Sequence, residues 1–226
     1  MLAPIVVFDL DGTLVDTAPD LVDTLNLMLG REGLAPLPFE EARSMIGGGV
    51  RAMLERGLRA RARPLQPGEL DRLFDAFIEH YSAHIADRSR PFSGLETALD
   101  HLAEKGCHLA VCTNKFEWLS RRLLDELELS KRFSAICGQD TFGVKKPDPK
   151  VLWQTIRKAG GDQHRAVMVG DSAVDITLAR AANVPVIAVD FGYTDVPVAT
   201  LRPDRVVDHF SRLPDVALEL LTSRIR

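Results

Sequence analysis

Apolar residues change their spacing along the chain, and the change separates two kinds of structure. Ile5-Val6-Val7-Phe8 is a short continuous run rich in β-branched residues, the pattern of a strand buried on both faces. From Thr17 to about Ala86 no such run recurs and helical spacing takes over. Thr17 reads as an N-cap, with Pro19 and Asp20 in the first turn, where a proline ring and a negative charge are both favourable. Leu21, Leu25, Met28 and Leu29 follow at helical spacing up to the breakers Gly30 and Gly33. Leu70, Leu73, Phe74, Phe77, Ile78, Tyr81 and Ile85 predict a long amphipathic helix.

After Pro91-Phe92-Ser93-Gly94 helix and strand alternate. The pattern predicts strands over His108–Cys112, Phe133–Cys137, Ala166–Val169 and Pro185–Val189. It predicts helices over Leu95–Lys105, Phe116–Leu127, Lys150–Ala159, Val174–Ala181 and near Pro214–Leu221. Strands separated by helices require crossover connections, hence a parallel sheet covered on both faces. The expected fold is therefore α/β: a doubly wound core of residues 1–15 and 87–226, with an all-helical insert of residues 16–86 after the first strand.

Composition adds boundaries to this picture. A chain of 226 residues buries about 70% of its unfolded surface by the usual area scaling, enough for a core without staples. Lys and Arg number 28 against 32 Asp and Glu, a net charge of −4 that gives no footprint for nucleic acid. The one basic run, Arg56, Arg59, Arg61 and Arg63, reads as a solvated helix face and loop. Cys107, Cys112 and Cys137 are odd in number and lack metal-type spacing, so core packing is their expected role. With no signal-like or membrane-length apolar segment, the chain is expected to be soluble and cytoplasmic, without nucleic-acid or membrane partners.

In open parallel sheets ligands bind beyond the carboxyl ends of the strands, and the polar residues cluster at those ends. The first strand delivers Asp9-Leu10-Asp11-Gly12-Thr13, the second Thr113-Asn114, and the Ala166–Val169 strand Gly170-Asp171-Ser172, with Asp175 a helical turn later. Lys145-Lys146-Pro147-Asp148-Pro149 precedes a helix start, and Lys145 is expected at the surface. Four carboxylates on one rim repel one another unless a cation sits among them, and hard oxygen ligands suit Mg²⁺. In Asp9-x-Asp11 the two carboxyl groups point the same way while the chain stays extended, so one can act as nucleophile and the other as acid and base.

These four clusters in this order, with Gly170-Asp171-Ser172-Ala173-Val174-Asp175 as the last, resemble the motifs of the haloacid dehalogenase-like phosphohydrolase superfamily across essentially the whole chain. The longer strings Phe8-Asp9-Leu10-Asp11-Gly12-Thr13-Leu14-Val15-Asp16-Thr17, Lys146-Pro147-Asp148-Pro149 and Phe191-Gly192-Tyr193 are similar to bacterial phosphoglycolate phosphatases. The resemblance implies a Rossmann-like core with a helical cap domain. It implies Asp9 as the nucleophile that forms an aspartyl-phosphate, and Asp11 as the acid for the leaving oxygen and then the base for water. Mg²⁺ is then held by the Asp9 carboxylate, the Asp11 backbone carbonyl and Asp171, with Asp175 acting behind them, directly or by positioning Lys146. Thr113 and the Asn114 backbone hold phosphate oxygens, while Lys146 offsets the charge of phosphate and Asp9.

The expected substrate is a small phosphorylated metabolite, best matched by 2-phosphoglycolate, and the expected state a monomer or homodimer. A sugar phosphomutase resembling β-phosphoglucomutase and a broad-specificity small-metabolite phosphatase use the same motifs. A phospho-accepting signalling module is the reading from another class, and it lacks both the insert and an aspartate two residues after the acceptor. Asp11 argues against a 2-haloacid dehalogenase, whose chemistry needs no leaving-group acid. In the insert, Gly47-Gly48-Gly49 reads either as a linker or as a loop that addresses the leaving group, with Arg51 a candidate for a substrate carboxylate. His80 and His84, four residues apart without a third ligand, read as an exposed or packed pair. Phe191-Gly192-Tyr193 reads as either rim lining or packing.

Overall fold

The computed structural model describes residues 2–194 and 196–223. In chain order its elements are β1 (Ala3–Phe8), β2 (Val15–Asp16), α1 (Ala18–Arg31), α2 (Phe39–Arg43), α3 (Val50–Ala60), α4 (Glu69–Ala83) and β3 (Arg90–Pro91). There follow α5 (Leu95–Glu104), β4 (His108–Cys112), α6 (Glu117–Glu126), β5 (Ala135–Cys137), α7 (Pro149–Lys158) and β6 (Gly161–Gly170). The chain continues through α8 (Ala173–Ala181), β7 (Val186–Val189), β8 (Arg205–Val207) and α9 (Leu213–Ser223). Two compact units result, one of Met1–Asp16 with Pro91–Arg226 and one of Thr17–Arg90. No helix among the described residues is long and apolar enough to cross a membrane.

The first unit is a six-stranded sheet in the order β5-β4-β1-β6-β7-β8, with every neighbouring pair parallel. Strand order reverses around β1, which lies between β4 and β6 and pairs Phe8 with both Val111 and Val169. That reversal leaves a crevice at the carboxyl end of β1, the place where open α/β sheets bind ligands. Alternate residues of each strand serve opposite faces. Ile5, Val7, Ala110, Cys112, Ala166 and Met168 pack with Val151, Leu152 and Ile156 of α7 and with Ile176 and Ala179 of α8. α5 and α9 pack against β4 and β6 and against each other. Burial on both faces is why the strands are continuous apolar runs. All three cysteines are reduced and buried, as core packing requires.

Element ends differ from expectation where polar residues extend a strand or apolar ones leave it. β6 begins at Gly161, five residues before the predicted start, because the polar stretch Asp162–Arg165 continues the strand beyond the apolar run. Phe133 is not a strand residue; it closes the short 3-10 turn Ser130–Arg132 ahead of β5. β8 was not predicted, since only Val207 of its three residues is buried.

The second unit packs α1 against α2, α3 and α4, and α3 against α4. Leu21, Leu25, Met28, Met53, Leu54, Leu58, Leu73, Phe77 and Tyr81 are among its buried side chains. Thr17 stands at the N-cap of α1 but its side chain makes no capping hydrogen bond there. In the basic run Arg56 and Arg59 are exposed, as on a solvated helix face, while Arg61 and Arg63 are half-buried. Arg61 donates to the carbonyls of Ala35 (2.9 Å) and Pro36 (2.6 Å), Arg56 to that of Met45 (3.1 Å), and Arg63 pairs with Glu69 at 2.7 Å. The His80 and His84 rings stack at 4.4 Å, with His84 Nδ1 2.8 Å from Asp87.

The helical unit runs to Arg90 rather than 86 for a physical reason. The buried Asp20 carboxylate accepts the Arg88 N–H (3.0 Å), the Ser89 N–H (2.8 Å) and the Ser89 hydroxyl (2.5 Å), which fastens the returning segment to the first turn of α1. Removing a buried charged acceptor leaves its donors unpaired. Asp20→Ala is expected to cost about 2–4 kcal/mol. Hydrogen exchange tests this directly: the Arg88 and Ser89 amides lose their protection in the variant, and full protection would refute the assignment.

Candidate active site

Asp9 follows the last residue of β1, and its own N–H still donates to the Val169 carbonyl at 2.9 Å, so the sheet ladder sets its direction. The chain then folds back tightly, with the Leu14 and Val15 N–H groups donating to the Leu10 carbonyl and the Gly12 N–H to that of Val15. Gly12 takes φ +82°, and a Cβ there would lie 2.6 Å from Asp171 Oδ2. No side chain fits, so the glycine is what allows the first loop and Asp171 to approach.

Asp171 follows β6 and is held from two sides: Thr13 Oγ1 donates to Oδ1 at 3.1 Å and the Tyr193 N–H to Oδ2 at 2.7 Å. The next residue, Ser172, caps α8, and both its N–H (3.2 Å) and its hydroxyl (2.6 Å) donate to Asp175 Oδ2. The capping box thus fixes Asp175 with Oδ1 left toward Lys146, whose ammonium lies 2.7 Å away. The same ammonium lies 2.7 Å from Asp9 Oδ1. The Lys146 backbone is clamped by the Asn114 amide, which accepts the Lys146 N–H at 3.0 Å and donates to its carbonyl at 3.3 Å. Asp148 and Pro149 then start α7, with Asp148 Oδ1 accepting the Lys150 N–H. The neighbouring Lys145 is exposed.

The structure brings together Asp9, Lys146, Asp171 and Asp175, and carries Asn114 with them through its clamp on Lys146. Thr113 is buried beside β5, its N–H donating to the Cys137 carbonyl and its Oγ1 accepting the Lys115 N–H at 3.1 Å. The Asp11 carboxyl turns to Lys115, whose Nζ lies 2.8 Å from Oδ1. Lys115 was not singled out from the sequence; its one signal there is its place directly after Thr113-Asn114 at a strand end. Arg51 lies in the other unit, paired with Asp71 at 2.5 Å and set over the Phe74 ring at 4.4 Å. Phe191 packs on Phe92 and Phe210, while the Tyr193 hydroxyl donates to Asp16 at 2.7 Å, so this segment both packs and braces Asp171.

Four carboxylates and two ammonium groups leave the rim with two formal negative charges. Ligand-capable atoms of Asp9, Asp171 and Asp175 all lie within 4.8 Å of one another. Burial, reinforced by the Asp175 and Asp171 charges against the opposing pull of Lys146, pushes Asp9 up to about 8. Burial and the Asp175 charge push Asp171 up to about 6. Burial disfavours the Lys146 ammonium, but Asp175 and Asp9 outweigh it and hold the group well above the usual lysine range. Crowded, partly protonated carboxylates with hard oxygen donors are the setting a divalent cation fits. Asp9 meets Lys146 and the Leu10 N–H through Oδ1, whereas both oxygens of Asp171 and both of Asp175 already accept protein donors, so a cation would share the Asp171 oxygens with Thr13 and Tyr193.

Comparisons with known proteins agree with this chemistry. The profile of the family described as haloacid dehalogenase-like hydrolase matches residues 6–189. A phosphoglycolate phosphatase of Mesorhizobium japonicum is 50% identical over 213 residues, 94% of each chain. One from Agrobacterium fabrum is 47% identical over 99% of this chain and 96% of its own. A crystal structure from Haemophilus somnus 129pt, described as a predicted phosphoglycolate phosphatase, superposes with TM-score 0.89 at 27% identity, covering 95% of this chain and 97% of its own.

The raised carboxylates fix a sign for stability. A folded-state value above the ordinary 3.8 means that the folded protein holds protons the unfolded chain has released, so stability is full below about pH 4. It declines as pH rises through about 6 for Asp171 and about 8 for Asp9. A divalent cation bound among these carboxylates would replace those protons. Thermal melts of metal-free protein are therefore expected to show a midpoint that drops between about pH 5 and 8.5, and a gain on adding Mg²⁺ that grows with pH. A gain independent of pH would break the link between the cation and these carboxylates.

Proposed function

The chain belongs to the haloacid dehalogenase-like hydrolase family, in its phosphoglycolate phosphatase-like subgroup, and on that premise we propose a Mg²⁺-dependent phosphomonoesterase that converts 2-phosphoglycolate to glycolate and phosphate. The observation that carries the chemistry is the buried Lys146 ammonium set 2.7 Å from both Asp9 and Asp175, with Asp171 beside them. The substrate is supported by relatives at about half identity across nearly the full length of both chains.

In the first step an Asp9 carboxylate oxygen attacks phosphorus, the bond from phosphorus to the ester oxygen breaks, and Asp11 gives its proton to the departing oxygen. In the second, water attacks phosphorus, Asp11 takes the water proton, and the acyl-phosphate bond breaks to restore the Asp9 carboxylate and release phosphate. Lys146 keeps Asp9 oriented and offsets its charge as the phosphoryl group arrives. Thr113 and the Asn114 backbone hold phosphoryl oxygens, the Asn114 amide itself being committed to the Lys146 backbone. The carboxylates of Asp9 and Asp171 and the carbonyl of Asp11 would hold Mg²⁺, which would supply positive charge to the transferring group.

Phosphate release from a panel of small phosphomonoesters, including 2-phosphoglycolate and β-glucose 1-phosphate, tests the proposal with Mg²⁺ and with EDTA. Expected is Mg²⁺-dependent release in which 2-phosphoglycolate leads by at least about tenfold in kcat/KM, a gap of ~1.4 kcal/mol in transition-state binding. Asp9→Asn is expected to lower release by about a thousandfold or more, since it removes the nucleophile. Broad, flat release would retain the chemistry and overturn the substrate. Conversion of β-glucose 1-phosphate to glucose 6-phosphate would make the protein a mutase.

A further inference from the structure

Lys115 is a second buried lysine at the rim, and the phosphoryl chemistry does not account for it. Lys146 already meets Asp9 and Asp175, whereas the Lys115 ammonium lies 2.8 Å from Oδ1 of Asp11. Its side chain is 6% exposed and that of Asp11 15%. Sequestering an ammonium from water is costly unless a charged partner is held in place. The main chain holds this one firmly. The Lys115 N–H donates to Thr113 Oγ1 at 3.1 Å, and its carbonyl accepts the Gln139 N–H at 3.0 Å. Gly138 packs so closely that a Cβ there would sit 2.5 Å from the Lys115 carbonyl oxygen. The position is built from β4, β5 and the turns that follow them.

We infer that Lys115 is the residue that selects a carboxylate on the leaving group. The inference rests on the proposed reaction, in which Asp11 serves the ester oxygen between phosphorus and the leaving group. Whatever that oxygen carries then lies beside Asp11 and beside the ammonium paired with it. In 2-phosphoglycolate a carboxylate stands one methylene from the ester oxygen. It takes the place of the Asp11 carboxylate at the Lys115 ammonium, and Asp11, released from the pair, takes up a proton from solvent and turns to the ester oxygen to deliver it. One ion pair replaces another. A neutral leaving group breaks the Lys115–Asp11 pair without supplying a carboxylate in exchange, and a charge-assisted hydrogen bond forgone in this way is worth about ten- to a hundredfold in rate. Discrimination by charge thus sits at the acid itself, and it also appears in the chemical step as well as in binding.

The test compares 2-phosphoglycolate with 2-hydroxyethyl phosphate, which carries a neutral hydroxyl in place of the carboxylate, in the full-length protein with Mg²⁺. The readout is the ratio of the two kcat/KM values, which a merely structural role of Lys115 leaves in place however much absolute activity falls. Wild type is expected to favour 2-phosphoglycolate, Lys115→Met to lower the ratio by about ten- to a hundredfold, and Lys115→Arg to restore most of it. Glycolate affinity, measured by titration calorimetry on wild type and Lys115→Met, is expected to fall in parallel, and it gives a readout that does not depend on turnover. A wild-type preference that survives intact in Lys115→Met, or an equal loss on both substrates, overturns the inference and leaves the proposed function standing. A wild type with Mg²⁺-dependent activity but no preference for 2-phosphoglycolate overturns both the substrate and the inference. Should Lys115→Met fail to fold, Lys115→Gln takes its place in the same comparison.

Discussion

The ammonium of Lys146, buried and shared between Asp9 and Asp175, is the contact on which the rest of the rim depends. Three elements meet there: the end of β1, the segment ahead of α7, and the first turn of α8. Each group is fixed by something other than the charge it meets. Asp9 is aimed by the sheet ladder, Asp175 by the capping box with Ser172, and the Lys146 backbone by the Asn114 amide. A buried pair that loses one partner is destabilising by about 3–5 kcal/mol, because the other charge stays without compensation. Here the loss of Lys146 strands two carboxylates next to a third. The lysine is therefore part of the fold as much as of the chemistry, and a defect there mixes the two.

Much of this was legible in the chain because buried parallel strands are continuous apolar runs and their ends carry the polar residues. Ile5–Phe8 ending at Asp9, and Ala166–Val169 ending at Gly170-Asp171, needed only the rule that such strands are covered on both faces. What escaped had no periodic signature. β8 presents one buried residue in three, β6 gains a polar first half, and Thr17 takes the N-cap position without using its hydroxyl there. The arginines after α3 look like a solvated run until the carbonyls of Ala35 and Pro36 are seen beneath Arg61.

Lys115 is the instructive miss. Its partner Asp11 is 104 residues away, so no local spacing links the two, and a single lysine among 28 basic residues carries no pattern. Lys146 was distinguishable from Lys145 because Pro-x-Pro and a helix start follow it. Lys115 is followed by an ordinary α6, begun at Glu117 after Phe116 without a side-chain cap. Tertiary contacts alone make one lysine a rim residue and leave another at the surface.

The two lysines also divide the electrostatic work. Lys146 lies among carboxylates that the fold itself immobilises, so its charge is a constant of the site and suits the part of the reaction that does not vary, the phosphoryl group. Lys115 faces Asp11, which in the proposed reaction handles the leaving group, the part in which substrates differ. A fixed charge beside the invariant group contributes to every substrate alike, whereas a charge beside the variable group can contribute to the difference between them, which is what specificity is. The remaining negative excess falls on Asp9 and Asp171, where burial already favours a proton on the nucleophile. A divalent cation held there would displace that proton and offset the approaching phosphate together, so the charge admitting the substrate would also be the charge freeing Asp9 to attack it.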